Sequence, residues 1–277
     1  MKIYQKGDKK LLNAWAFYDW ANSVYPLVIS TAVFPIYYGF ITESNKYIEF
    51  LGFNFKNTAL ISFVTAIAFM FLVVAIPILS GIADYTGKRK AFMKFFCFMG
   101  SISTISLYWF EIDNLTLGLA YYFFAMIGFW GSLAFYNSYL PEIAFKNQQD
   151  AISAKGYSLG YFGSVILLVF NLLMVNFPDS FGIVSDNNVQ APIMAMKISF
   201  ITVGIWWFVF SLYTFYYLPS RNTTSKFNSK IVFNGFKELY KVWVIVKSHS
   251  YLKSYLIAFF MYSIALQTVK NNFTIKF

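Results

Sequence analysis

The chain has 277 residues, of which 58% are hydrophobic, 22% aromatic and only 12% charged, and its formal net charge is +10. That leaves too little polar surface to coat a water-soluble globule, so the chain belongs in lipid. A soluble nucleic-acid binder would gather its Lys and Arg on a water-facing domain, and none is visible. The single cysteine, Cys97, excludes an internal disulfide and argues against a Cys-based metal site.

The N-terminal segment carries Lys2, Lys6, Lys9 and Lys10 ahead of an apolar run from Leu11 to Ile41. This run outlasts a secretory h-region, holds an acid and lacks a small-residue cleavage site, so it reads as a retained first span. A bilayer-crossing helix needs about 20 mostly apolar residues. On that rule spans are predicted at 13–40, 58–83, 92–110, 115–139, 154–176 and 192–218, with a seventh starting near Tyr255. Pro35 and Pro77 fall inside spans and predict kinks. A transmembrane barrel is disfavoured, because the runs are too long and lack period-two alternation.

The basic residues set the orientation. About 17 fall at the N-terminus, in Asp84–Lys94, after Pro141 and in Pro219–Lys253, against five elsewhere: Lys46, Lys56, Lys197, Lys270 and Lys276. The positive-inside rule then places the N-terminus in the cytoplasm of a cell whose inner membrane holds the chain.

In the first span Asp19, Asn22, Ser23, Pro26 and Ser30 recur at helical steps and share one stripe. An acid about two turns into a span faces protein or water rather than lipid, and such groups are by default functional-site candidates. The other reading is an Asp19 hydrated from the cytoplasmic face that only fixes helix packing. Pro26 has no N–H to offer the carbonyl of Asn22, which leaves an acceptor beside the stripe.

Between the apolar runs Thr58–Ala83 and Ala91–Phe110 lies Ser80-Gly81-Ile82-Ala83-Asp84-Tyr85-Thr86-Gly87-Lys88-Arg89-Lys90. It reads as a tight basic loop in which Gly87 supplies the backbone freedom of a sharp turn. With Ser80 where Gly is usual, then Asp84, Gly87 and the basic trio, it resembles the loop between the second and third spans of major facilitator superfamily transporters. Asp19-Trp20-Ala21-Asn22-Ser23, together with Ala83-Asp84-Tyr85, narrows the resemblance to the bacterial relatives of the autophagy-related vacuolar effluxers.

The resemblance implies an all-α membrane protein whose six-helix N-terminal bundle rocks against a second half around a midplane site. It also implies a small solute, amino acids among the choices, as cargo. Asp84, Gly87, Lys88, Arg89 and Lys90 become candidates for a cytoplasmic gate. In the family, the loop acid is thought to meet the N-terminal end of a helix in the second half.

In the fourth span Tyr136, Asn137, Ser138 and Tyr139 precede Pro141-Glu142. Asn137 is placed to bond either substrate or a neighbouring helix. Many proton-coupled members of the superfamily carry an Arg in this span, and Leu115–Leu140 has none, so that mode of coupling is in doubt. Glu142 reads as a solvated loop acid. In the fifth span Gly156, Gly160, Gly163, Leu167 and Asn171 form a small-residue face that admits another backbone, with an amide farther along. The sixth-span aromatics Trp206, Trp207, Tyr213, Tyr216 and Tyr217 are most simply lipid contacts and an interfacial belt.

From Pro219 to Lys253 the chain leaves the membrane. Ser220–Ser225 looks like flexible linker, and Val232, Phe236, Leu239, Trp243 and Val246 form an apolar stripe opposite Lys230, Asn234, Lys237 and Lys241, as on a basic surface helix. The resulting organisation is a bundle over 1–218, a central loop over 219–253, and an incomplete seventh span with its tail over 254–277. Tyr255–Val269 is short for a crossing, and the polar Lys270–Phe277 is expected to stop it. A family member would continue through five more spans, so a truncated or frame-disrupted product is expected.

No enzymatic constellation is present: there is no Walker loop, no paired His, and no Ser-His-acid set, the only histidine being His249 on a loop. No cofactor or metal is expected. The partners are the lipid bilayer and a small solute, with the coupling ion undefined. Asp19, Asn22, Asn137 and Asn171 are the solute-site candidates. The alternative is a non-transporting membrane protein that packs or assembles with other chains, or an inert fragment.

Overall fold

A computed structural model of the chain describes residues 5–184, 190–220, 240 and 243–274. Among the described residues six helical segments are long and apolar enough to cross a membrane: Lys9–Thr42, Asn57–Thr86, Arg89–Trp109, Ile112–Ile143, Lys146–Asn176 and Gln190–Tyr217. These correspond to the first six predicted spans, with ends within about four residues except that the fifth starts eight residues earlier, at Lys146. The architecture is all-α, as expected, with one small addition described below.

The first span is not one uniform helix. It comprises α1 (Lys9–Asn22), a π-helical segment (Tyr25–Val33) and α2 (Phe34–Thr42). Asp8 starts α1 by accepting from the Lys10 and Leu11 amides at 2.7 and 3.4 Å, an N-cap. Pro26 lies at the first turn of the π-helical segment and Pro35 at the first turn of α2. Each proline removes an amide where the hydrogen-bond register changes, and the wider ladder accommodates the break.

The span leads into a hairpin absent from the sequence expectations. Strands β1 (Tyr47–Phe50) and β2 (Phe53–Lys56) pair antiparallel, with Tyr47 opposite Lys56 and Phe50 opposite Phe53. The remaining long helices are α3 (Asn57–Thr86), α4 (Arg89–Ser106), α5 (Leu115–Ile143), α6 (Lys146–Asn176) and α7 (Gln190–Tyr217). A last helix, α8, runs Ser250–Thr274. It starts ahead of Tyr255 and continues past Val269, so the polar tail does not end it as expected. Of the predicted surface helix, the residues before Tyr240, and Lys241, lie outside those described.

Contacts divide the chain into two units: Met1–Val73 with Arg89–Arg221, and Val74–Lys88 with Asn222–Phe277. In the first unit α1 packs on α6 and α7, and α4 on α5 and α7. Its core is aromatic, with Tyr18, Tyr25, Tyr136, Phe135 and Trp207 all less than 2% exposed. The backbones of α4 and α5 approach closely, and a Cβ on Gly128 would collide with the Cα of Gly100 and come within 2.7 Å of the Phe96 carbonyl. Glycines let the two helices meet without intervening side chains.

Trp207 corrects the reading of the sixth-span aromatics. Gly100 leaves room for its ring, which is fully buried, and Trp206 donates its indole N–H to the Trp20 carbonyl at 3.0 Å. Tyr213 and Tyr216 remain on the surface. Cys97 is buried and donates to Ser211 Oγ at 3.3 Å, which makes it a packing residue.

Candidate functional site

Asp19 sits where α1 meets α5 and α6, and only 7% of it is exposed. The Tyr136 hydroxyl donates to Asp19 Oδ2 at 3.0 Å. Tyr136 is itself fixed by Trp15, whose ring stacks on it at 4.3 Å and 11° and whose indole N–H donates to the Tyr136 carbonyl at 3.0 Å. An aromatic pair of this kind locks the hydroxyl's direction, so the carboxylate meets a preset donor.

The glycine face of α6 closes the other side. A Cβ on Gly156 would lie 2.5 Å from Asp19 Oδ2, one on Gly160 would lie 2.5 Å from Ser23 Oγ, and one on Gly163 would lie 3.0 Å from the Trp20 ring. The expected backbone approach is therefore taken up by α1, within the bundle. Lys155 at the start of this face donates to Asn13 Oδ1 at 2.7 Å and ties the same two helices.

Asn22 is 1% exposed; its Oδ1 accepts from Ser23 Oγ at 3.4 Å and its Nδ2 has no partner. Trp20 Nε1 is likewise buried without a partner. Buried polar atoms are nearly always bonded, and among the described residues two exceptions, Trp20 Nε1 and Asn22 Nδ2, lie at the end of α1. No Lys, Arg or His pairs with Asp19 among the described residues.

The other two solute-site candidates lie apart from this group. Asn137 is exposed on α5, while its neighbour Tyr136 turns inward to Asp19. Sequence reasoning favoured the amide and passed over the phenol. The signal for Tyr136 is its place one residue back on the helix, on the buried face with Phe135 and Tyr139. Asn171 is fully buried, donating to the Leu167 carbonyl and accepting from Thr202 Oγ1, both at 2.9 Å, so it ties α6 to α7.

The loop candidates divide between the two units. In one, Gly87 has φ of +65°, its amide donates to the Asp84 carbonyl at 3.4 Å, and the Lys88 amide donates to the Ala83 carbonyl at 3.0 Å. This pair of bonds is a Schellman motif with glycine at its left-handed position, and it ends α3. In the other, Arg89 pairs with Glu142 at 2.5 Å and Lys90 donates to the Leu218 carbonyl at 2.5 Å. Arg89 thus joins α4 to the end of α5, and Lys90 joins it to the negative end of α7. Glu142, read as a solvated loop acid, is instead an ion-pair partner that is 24% exposed.

A family described as "Vacuole effluxer Atg22 like" matches residues 7–277. The uncharacterized MFS-type transporter YxiO of Bacillus subtilis (strain 168) is 31% identical over 258 residues, which cover 93% of this chain and 58% of that protein. The chain therefore spans a little over half the length of this curated relative. No solved structure matches. Family match, sequence identity and a bundle of six apolar helices agree, and the chain belongs to the Atg22-like vacuole effluxer family.

Proposed function

We propose that this chain forms the first bundle of a secondary transporter that moves a small solute, amino acids among the candidates, by alternating access, without chemically converting it. The observation that carries this reading is Asp19, an acid buried in a span, held by Tyr136 and without a cationic side-chain partner among the described residues. A lone carboxylate in the hydrocarbon region disfavours insertion by about 2.5–3.5 kcal/mol. A mobile cation, proton or sodium, loaded and released in each cycle, balances that charge. Asp19 and Asn22 contact the solute, Asn137 lies farther along the pathway, and Asn171 positions α6. Asp84, Gly87 and Lys88 act in the gate, and Arg89 and Lys90 hold α4 to the ends of α5 and α7. The glycine face of α6 no longer favours an assembly role, because α1 already occupies it.

The transporter of which this chain forms the first bundle, purified into liposomes and given a mixture of radiolabelled amino acids under an imposed pH or sodium gradient, tests this. Accumulation above protein-free vesicles under one gradient is expected. No accumulation under either counts against the reading.

We place the N-terminus in the cytoplasm of a cell with the chain in its inner membrane. On that placement, a membrane-impermeant maleimide labels Asn54→Cys in intact cells and Lys88→Cys only after permeabilisation. The opposite pattern reverses the orientation.

A further inference from the structure

The β1–β2 hairpin has two chemically distinct faces. Its register puts Tyr47, Glu49, Asn54 and Lys56 on one side and Ile48, Phe50, Phe53 and Phe55 on the other, since opposed residues share a face. On the polar side Tyr47 and Glu49 border an open depression of about 540 Å³ that also includes Asp113, Asn114 and Thr116. Ile48, from the apolar side, reaches the same depression beside Ile112, Leu115 and Leu117. Ile48 is buried, Phe55 stacks on Phe63 of α3 at 4.7 Å, and Phe53 is 69% exposed.

The tip is apolar as well. Leu51 and Gly52 have φ of +52° and +80°, as in a two-residue type I′ turn. Asn or Gly would sit at the first position with little strain. Leucine occupies it and is 70% exposed.

The base of the hairpin is fixed to two spans through Asn57. The Tyr38 hydroxyl donates to the Asn57 carbonyl at 3.0 Å, the Asn57 amide donates to the Lys46 carbonyl at 3.2 Å, and Asn57 Nδ2 donates to the Thr42 carbonyl at 3.4 Å. The hairpin is thereby held where α2 leaves the bilayer and α3 enters it. Each strand is about 14 Å long at about 3.4 Å per residue, more than the roughly 5–7 Å headgroup layer of one leaflet. Below the Phe55–Phe63 contact the outward side of α3 continues apolar and exposed through Ile67, Met70 and Phe71.

We propose that the hairpin is an interfacial anchor, with Phe50, Leu51, Phe53 and Phe55 lying in the boundary between headgroups and acyl chains and Glu49, Asn54 and Lys56 facing water. Aromatic side chains favour that layer, and the apolar face is continuous with the outward surface of the span beside it. The occupant is lipid. The anchor fixes the connection between the first two spans to one leaflet, independently of what the protein carries.

Spin labels at Phe53→Cys and at Asn54→Cys, each with Cys97→Ser in the full chain, test this in phosphatidylcholine–phosphatidylglycerol vesicles. Relaxation by lipid-soluble oxygen and by a water-soluble nickel chelate is read by power saturation. The label at Phe53 is expected to respond to oxygen and be shielded from nickel, with the reverse at Asn54. Equal nickel access at both positions places the hairpin in water and overturns the proposal. Shielding of the Phe53 label from both reagents shows a protein cover and also overturns it.

Discussion

Gly128→Ala is expected to destabilise the bundle by about 3 kcal/mol, at the upper end of what overpacking a filled core does. The new methyl group meets backbone rather than a flexible side-chain end: the Cα of Gly100, the Gly100 nitrogen at 2.5 Å and the Phe96 carbonyl at 2.7 Å. Relief requires α4 and α5 to separate, and Trp207, seated over Gly100, would lose its packing with them. Gly39→Ala is the control. It adds the same methyl in α2 with nothing within 4 Å, so stability is expected to stay level or rise, since alanine favours a helix by about 1 kcal/mol over glycine. Unfolding midpoints in detergent under graded SDS separate the two. Equal midpoints would refute the close approach.

Asp19→Asn is expected to keep the fold and lose transport. The variant keeps the shape of the side chain and an oxygen that accepts from Tyr136, and it removes a charge that has no cationic partner among the described residues. Its unfolding midpoint should therefore match or exceed wild type. Gradient-driven uptake, by contrast, should fall at least about tenfold, equivalent to about 1.4 kcal/mol on the limiting barrier. A variant that is more stable and less active distinguishes a transport role for Asp19 from the packing role that its depth in the span also allows.

The spans were legible because length and apolarity alone define them, and a helix that must satisfy its own backbone in lipid has little choice of form. Their ends were less so. The helices extend into charged residues such as Lys9, Arg89 and Lys146, which register as loop in a hydropathy reading although they continue the same turns. Pro26 signalled a freed carbonyl, and the backbone answered with nine residues of π-helix, a response that a single proline does not specify. The hairpin was hidden because its turn is Leu51-Gly52 rather than the usual Asn-Gly pair.

Part of the candidate site was legible for a similar reason. Asp19 and Asn22 were found from polarity at helical spacing, which is local information. Their partners depend on which faces meet. Gly156, Gly160 and Gly163 announced a close contact without naming α1 as the other side, and Gly100 and Gly128, isolated in separate spans, announced nothing. Asn137 and Tyr136 are adjacent in sequence yet point to different surroundings, and only the packing of α1 on α5 decides which one reaches Asp19.

Uptake of radiolabelled amino acids by liposomes holding matched amounts of wild type and Asp19→Asn tests the account most directly. Wild-type vesicles should accumulate label under a pH or sodium gradient, while the variant stays near the protein-free level. Accumulation by Asp19→Asn equal to that of wild type would contradict the assignment of this carboxylate to the transport pathway.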